Sequence, residues 1–165
     1  MSSLDILAAW GVPELHRATY ATAATVEEMR EAYRESAAGY MTARVSGILH
    51  VDALDAYRAG AQMGQYAAAR KEGATHREAL DAYRDGILGE YSIALSAGAT
   101  DGEFREALEL GVDPSEYVGC RIWRATHAEA LAAYDAAADL DQYAMRREAG
   151  DDHVAALALS HRPED

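Results

Sequence analysis

A row of histidines recurs at a nearly constant interval along the chain. Its members are His50, His76, Asp101, His127 and His153, separated by 26, 25, 26 and 26 residues. Imidazole and carboxylate groups bind zinc, so neighbouring members could hold a metal or a small ligand. Two neighbours supply only two ligands, however, and each member falls at the first position of a predicted helix, where the dipole disfavours a cation. We therefore predict no metal here. The row remains a candidate binding site, and the structural alternative is that each ring covers the cap of a neighbouring repeat.

A row of arginines runs in parallel. Arg44, Arg70, Arg121 and Arg147 each follow a tyrosine by four residues, and Leu95 interrupts the row. Guanidinium groups spaced in this way could bind carboxylates or phosphates. Alternatively, they lie in the last turns of helices, where a cation stabilises the dipole and pairs with nearby glutamates. The interruption and the acidity of the chain favour the structural alternative.

The charge of the chain limits its partners. The sequence has 28 acidic against 15 basic residues, a net charge of −13. Such a chain repels phosphate backbones and anionic membrane surfaces, so we expect neither direct nucleic-acid binding nor membrane binding. The carboxylates form either a solvated surface or one that meets a basic partner.

No motif for covalent or phosphoryl chemistry is present. The sequence lacks a G-x-S-x-G elbow and a glycine-rich phosphate loop, and the lone cysteine, Cys120, has no obvious base beside it. We therefore predict a non-enzymatic protein without a cofactor. One cysteine allows no internal disulfide, and the start MSSLDILAAW has no basic segment or long apolar run, so we expect a cytoplasmic protein. A single lysine among many Ala, Gly, Asp and Glu residues is typical of bacterial or phage proteins with GC-rich genes.

An internal repeat must position both rows. Five tyrosines mark it at steps of 26, 25, 26 and 26 residues: Tyr40, Tyr66, Tyr91, Tyr117 and Tyr143. The repeats start near residues 25, 49, 75, 100, 126 and 152, after a partial repeat over 3–24 in which His16 takes the tyrosine's place, and a polar tail follows over 162–165. Constant spacing in several columns indicates one repeating structure over the whole chain, which we treat as a single domain.

Each repeat is predicted to form two short helices. Capping boxes, in which Thr is followed three residues later by Glu, begin the first helices at Thr25, Thr75, Thr100 and Thr126. Leu49 breaks this rule, whereas Asp152 is a plausible cap. Gly60, Gly86 and Gly111 stand where a left-handed residue ends a helix. Asp113 before Pro114, and Asp139, are predicted to begin second helices. We expect about thirteen short helices, a first one near 3–10, a last one near 152–161, and no sheet.

Helices of this length are marginal alone, so the hairpins must bury their apolar faces on one another. The pattern resembles the broad class of α-helical repeat proteins, such as tetratricopeptide and ankyrin arrays, although the unit is shorter and neither signature is present. The predicted fold is an all-α, right-handed solenoid of about six stacked two-helix repeats. The phrase GATHREAL at 73–80 also resembles a short repeat of actinobacterial and phage proteins.

This resemblance implies no activity, and the scaffold prediction depends instead on the extended concave surface that such an array presents. We predict a non-enzymatic protein–protein interaction scaffold that presents an acidic extended surface to a basic partner. One alternative is a phage or mobile-element decoy that inhibits a nucleic-acid-binding enzyme, and another is a small-ligand or metal binder that uses the histidine and arginine rows. Incomplete caps at the two ends also allow self-association.

Overall fold

The computed structural model describes residues 2–35, 37 and 39–160. Within them the chain forms thirteen α-helices and no β-strand, which confirms the all-α class. The first helices of the repeats are α1 (Ser3–Ala9), α3 (Val26–Arg34), α5 (His50–Ala59), α7 (His76–Arg84), α9 (Asp101–Glu109), α11 (His127–Asp135) and α13 (His153–Ala158). The second helices are α2 (Glu14–Ala23), α4 (Tyr40–Val45), α6 (Met63–Lys71), α8 (Leu88–Ser96), α10 (Pro114–Ile122) and α12 (Leu140–Glu148). The predicted polar tail at 162–165 lies outside the described residues.

The helix starts follow the predicted capping chemistry. All four Thr–Glu boxes form: each Thr hydroxyl accepts from the Glu amide at 3.2 Å, and each Glu carboxylate accepts from the Thr amide at 2.6–2.8 Å. Asp113, Asp139 and Asp152 also cap their helices with side-chain oxygens, whereas Leu49 makes no side-chain cap bond. A fifth box, at Ser2 and Asp5, begins α1 and was not predicted.

The helix ends require left-handed backbone. Gly60, Gly86 and Gly111 have φ angles of +89°, +76° and +89°, which confirms their predicted role, because only glycine adopts this region without steric cost. Ala137 takes a left-handed conformation at the equivalent end of α11, with φ of 53°, and Arg124 does so after the second helix α10, with φ of 66°. The side chains at these two positions gave no signal of that conformation.

The chain divides into two compact units, which we call unit 1 (Met1–Leu88) and unit 2 (Gly89–Asp165). In unit 1, second helices pack on second helices two places along the chain, α2 on α4 and α4 on α6, while α1 packs on α3 and α5 on α7. In unit 2, α10 packs on α12, and the first helices α9, α11 and α13 pack against these second helices. This pattern confirms a stacked helical repeat. The handedness and the single domain remain predictions.

Tyrosine and alanine fill the interior of each unit. The rings at the five marker positions are at most 1% exposed: Tyr40, Tyr66, Tyr91, Tyr117 and Tyr143. Alanines of the first helices, among them Ala53, Ala79 and Ala133, are also buried, and their small side chains allow helix backbones to approach closely. The marker tyrosines are therefore core residues, and their regular burial holds the histidine and arginine rows in register.

Candidate functional site

The histidine row is bonded to the marker tyrosines. Each tyrosine lies on a second helix, and ten residues later the histidine occupies the first position of the next first helix. The hydroxyl oxygen and the imidazole Nδ1 are 2.7–3.0 Å apart in four pairs: Tyr40–His50, Tyr66–His76, Tyr117–His127 and Tyr143–His153. The rings meet edge to face, with centroids 5.7–6.0 Å apart. Each histidine of the row thus covers the hydroxyl end of a buried tyrosine and forms a hydrogen bond with it.

Three of these histidines also contact a carboxylate. The Nε2 atom lies 3.1 Å from Glu31 in His50, 2.9 Å from Asp55 in His76, and 3.2 Å from Glu106 in His127. A carboxylate only accepts, so Nε2 carries the hydrogen and Nδ1 of the neutral ring accepts from the tyrosine hydroxyl. The result is a chain of hydrogen bonds from the buried phenol through imidazole to a surface acid, and both ring nitrogens are used within the fold.

Asp101 replaces histidine in this row and binds the preceding marker tyrosine, Tyr91, directly. Its Oδ1 accepts directly from the Tyr91 hydroxyl at 3.0 Å, and Arg105 Nε donates to the same carboxylate at 2.9 Å. Phe104 fills the space beside it, with ring centroids 5.5 Å from Tyr91 and 5.8 Å from Tyr117. The interruption of the row therefore keeps the hydrogen bond and replaces imidazole with a carboxylate.

Burial controls the acidity of the phenols. It raises the pKa of Tyr40, Tyr66, Tyr117 and Tyr143 to about 12, although the arginine four residues on opposes this shift in each case. Burial likewise raises the pKa of the Cys120 thiol to about 12. A thiol held in its protonated form is a poor nucleophile.

The arginines of the row contact two kinds of group, the carbonyls that follow their own helices and the acids at the starts of the first helices. Nη1 of Arg44, Arg121 and Arg147 donates in each case to the carbonyl four residues on. The guanidinium groups also face the acids of the first helices: Arg44 and Glu28 are 3.3 Å apart, Arg70 and Asp52 3.3 Å, Arg121 and Glu103 3.9 Å, and Arg147 and Glu129 3.5 Å. These arginine side chains are only 10–19% exposed. The row binds the protein's own carbonyls and carboxylates.

The sequence analysis located both rows but missed the acids that complete them. Asp55 and Glu106 precede their histidines by 21 residues, and Glu31 precedes His50 by 19. The 21-residue offset was a signal that could have identified two of them. At the same offset before His153 stands Ala132, and His153 has no carboxylate partner among the described side chains. Among residues 2–35, 37 and 39–160, no three His, Cys, Asp or Glu side chains are arranged to hold a metal ion.

A different surface is available in unit 2, on the second helices α10 and α12, which pack on each other. Ile122 and Met145 are 45% and 59% exposed there, and Trp123 at the end of α10 is 38% exposed. Asp141 and Glu148 are exposed on α12, four residues before and three after Met145, on one helical face. We call these five residues the acidic–apolar surface. It combines apolar side chains with carboxylates.

No family model, curated protein or solved structure matches this chain. None of the described helices has the length and apolar character that crossing a membrane requires.

Proposed function

We propose that the protein is a non-enzymatic interaction module that binds a basic segment of a partner protein on the acidic–apolar surface of unit 2. The observation that carries this proposal is the uneven distribution of charge. Residues 89–165 contain sixteen acidic and six basic residues, a net charge of −10, whereas residues 1–88 contain twelve and nine, a net charge of −3. An excess of one sign on one part of a surface favours association with the opposite sign.

The cations of unit 2 do not neutralise this excess. Three described arginines pair with acids inside the repeat, as Arg105 does with Asp101, Arg121 with Glu103 and Arg147 with Glu129. Exposed acids without an ion pair among the described side chains remain on several helices: Glu109, Asp135, Asp141 and Glu148. Their carboxylates are available to cations of a partner.

The apolar side chains of this surface can stabilise the complex with a partner that the charge attracts. Exposed charge pairs contribute little each, typically about 0–1 kcal/mol, and act mainly on the rate of association. Burial of an exposed Trp or Met side chain contributes more, and aromatic residues are frequent energetic centres of interfaces. Trp123 and Met145 are the exposed side chains of this surface that can serve as such centres. The matching partner is a segment with Lys or Arg on one side and aliphatic residues on the other.

The engagement of the two rows supports a binding role rather than catalysis. Imidazole nitrogens and guanidinium groups that bond within the fold are already used for structure. The exposed and unpaired groups of unit 2 are those left for a partner.

A binding experiment tests the proposal with a basic amphipathic helical peptide as the probe. Fluorescence anisotropy of the labelled peptide is expected to give saturable binding that weakens as salt is added, because ions screen the carboxylates. A variant with Asp141→Asn and Glu148→Gln is expected to weaken binding by about tenfold, equivalent to about 1.4 kcal/mol. Met145→Ala is expected to weaken it further by accelerating dissociation.

The matched control neutralises two acids of unit 1. Glu72 and Asp85 are exposed and form no ion pair among the described side chains. A variant with Glu72→Gln and Asp85→Asn removes the same charge and is expected to bind within about twofold of the wild type, a difference of about 0.4 kcal/mol. Equal weakening by the two variants would show a nonspecific effect of net charge and refute the assigned surface. Absence of saturable binding to the peptide would refute the proposal itself.

A further inference from the structure

An aromatic-lined cavity of about 570 Å³ opens in the first layer of unit 1. It lies where the end of α1 meets α2, α3 and α4. Its walls include Trp10, Val12, Tyr20, Tyr33, Met41 and Thr42. We call it the aromatic cavity. Its volume falls in the range of about 300–1,000 Å³ that is typical of small-molecule pockets.

The cavity coincides with a break in the repeat. In later repeats the marker tyrosine of the second helix is buried, as Tyr66 and Tyr117 are at 0% exposure. In the first repeat that position is His16, which is exposed and stacks on Tyr20 with ring centroids 6.3 Å apart. Tyr20 in turn stands where later repeats place the arginine of the arginine row. The first layer therefore lacks the ring that closes the others.

Trp10 forms the rigid wall of the cavity. Its ring centroid lies 5.8 Å from that of Tyr33 and 6.2 Å from that of Tyr40, both in tilted geometry. Tyr40 is fully buried and bonded to His50, so this wall rests on the core of the unit. Tyr20 lies in the same lining without a ring contact to Trp10 or Tyr33 among the described pairs. Tyr20 and the Trp10–Tyr33 pair are therefore separate parts of the lining.

The polar groups of the lining are few and unused. The Trp10 indole N–H and the Tyr20 and Tyr33 hydroxyls have no hydrogen-bond partner within the described part of the chain. No charged side chain lines the cavity in that part of the chain either. Walls of this kind disfavour an ion, which would lose its hydration without gaining a counter-charge. They favour an apolar ring with a polar edge, since such a molecule stacks on the walls and pairs with the free donors and acceptors.

We propose that the aromatic cavity is a binding site for a small, uncharged, planar aromatic molecule that carries a hydroxyl or amide on its edge. The site is separate from the acidic–apolar surface in sequence and in chemistry, so it stands independently of the proposed function. The occupant inserts its ring between Tyr20 and the Trp10–Tyr33 pair. Its polar edge meets the indole N–H or a tyrosine hydroxyl.

Tryptophan fluorescence reports directly on this site, because the chain has two tryptophans and one of them lines it. The Trp123→Phe variant leaves Trp10 as the sole reporter. The probe is 4-nitrobenzyl alcohol, an uncharged planar molecule with a hydroxyl, whose nitro group quenches indole on contact. We expect saturable quenching of Trp10. In the Trp10→Phe variant, where Trp123 is the sole tryptophan, we expect quenching that rises linearly without saturation.

A substitution that fills the mouth of the cavity locates the probe. Thr42 is exposed on α4 and lines the cavity. Adding Thr42→Phe to Trp123→Phe is expected to weaken binding of the probe at least about tenfold. The matched control is Ala68→Phe, because Ala68 is exposed at the equivalent position of the next second helix and is not part of the lining. This control is expected to leave binding unchanged.

Circular dichroism of each variant shows whether it folds, and Tyr20→Leu replaces Thr42→Phe if the latter loses helix. Linear quenching of Trp10 at all probe concentrations would overturn the proposal. So would saturable binding that neither Thr42→Phe nor Tyr20→Leu weakens. If the probe fails while a peptide with a central Trp or Phe saturates the site, the occupant is a side chain of a partner and the small-molecule assignment is wrong.

Discussion

Tyr66 in unit 1 and Tyr117 in unit 2 are held in the core in the same way. Each ring is completely buried, and each hydroxyl bonds to the histidine ten residues on, at 2.7 Å and 3.0 Å. The surfaces of the two units differ instead. Arg58 of unit 1 bridges Glu31 and Glu35, and Asp81 forms ion pairs with both Arg77 and Arg84, whereas unit 2 carries the larger excess of acids.

This difference separates what the repeat needs from what it leaves free. Burial of a ring and satisfaction of its hydroxyl apply to every layer that has the marker tyrosine, so these positions recur. Surface charge affects packing little, and unit 2 can therefore keep carboxylates that unit 1 pairs with arginine. The places to look for function are the surface that varies and the one layer where the recurring ring is absent.

Alkaline pH is expected to have the largest effect on stability. The effect is expected to be equal in the two units. Burial raises the pKa of Tyr40, Tyr66, Tyr117 and Tyr143 to about 12, above the value of 10.0 for an unperturbed phenol. The folded chain holds these protons more tightly than the unfolded chain, so the contribution to stability is complete below pH 10 and is lost as the pH rises through 12.

Far-ultraviolet circular dichroism and tyrosinate absorbance, followed together, check this prediction. Ionisation of the buried phenols is expected to coincide with the loss of helix. Half ionisation of all ten tyrosines near pH 10 with the helices intact would contradict it.

Truncation of a marker tyrosine tests whether the two interiors are equivalent. Tyr66→Ala and Tyr117→Ala are each expected to lower the free energy of unfolding by about 3–5 kcal/mol through lost burial and the remaining cavity. Tyr66→Phe and Tyr117→Phe keep the ring and leave imidazole Nδ1 without its donor, at an expected cost of about 1–3 kcal/mol. Urea unfolding measures both. A large cost in one unit and none in the other would show that only one tyrosine is a core residue.

A glycine in unit 1 tests how closely neighbouring repeats approach. Gly60 and Gly86 both have left-handed backbone, and alanine there costs about 1–2 kcal/mol from strain alone. A Cβ at Gly60 would lie 2.8 Å from the Tyr83 hydroxyl oxygen, whereas one at Gly86 would have no atom within 4 Å. Gly60→Ala is therefore expected to cost more than Gly86→Ala by about 1–3 kcal/mol.

Removal of the clashing oxygen provides the control for this comparison. Tyr83→Phe combined with Gly60→Ala is expected to recover part of the difference, as measured by urea unfolding. In unit 2 a Cβ at Gly111 would be 3.1 Å from the Tyr134 hydroxyl, so Gly111→Ala is expected to fall between the two. Equal losses at Gly60 and Gly86 would mean that Tyr83 yields at no cost.

The Thr caps should again give equal effects in the two units. Thr75→Ala and Thr126→Ala each remove a hydroxyl that accepts from a helix amide at 3.2 Å, and each is expected to cost about 1 kcal/mol. Thr→Ser at either position keeps the oxygen and is expected to be nearly neutral. Thermal unfolding measures the difference, and a neutral Thr→Ala at both positions would refute the capping role.

Local chemistry explains why so much of the fold could be predicted. The Thr75–Glu78 box and the glycine at 60 involve neighbours in sequence, so their residue types alone predict a helix start and end. Tyr66 could be identified as a marker of the repeat because its spacing recurs. The partner of His76 could not be identified from sequence, since Asp55 lies on the preceding first helix and meets the imidazole only after the repeats stack.

The aromatic cavity was missed for a related reason. His16 was recognised as a substitute for the marker tyrosine, but the sequence alone does not show that His16 turns outward and leaves the layer unfilled. That outcome depends on how α2 packs on α1 and α4. Likewise, Arg124 adopts left-handed backbone where other repeats use glycine, because tertiary packing outweighs the local preference of the residue.

Added salt should have the smallest effect on stability. This effect nevertheless distinguishes the two units most directly. Unit 2 has a net charge of −10 and unit 1 of −3, so repulsion among like charges destabilises unit 2 more. Added sodium chloride screens this repulsion, and a gain of up to about 1 kcal/mol is expected in unit 2 with little change in unit 1. Amide hydrogen exchange of α6 and α12 at low and high salt resolves the units separately. Greater protection of α12 alone would confirm that its carboxylates are uncompensated, whereas equal gains in both helices would mean that salt acts on burial in general and that the charge difference has no energetic consequence.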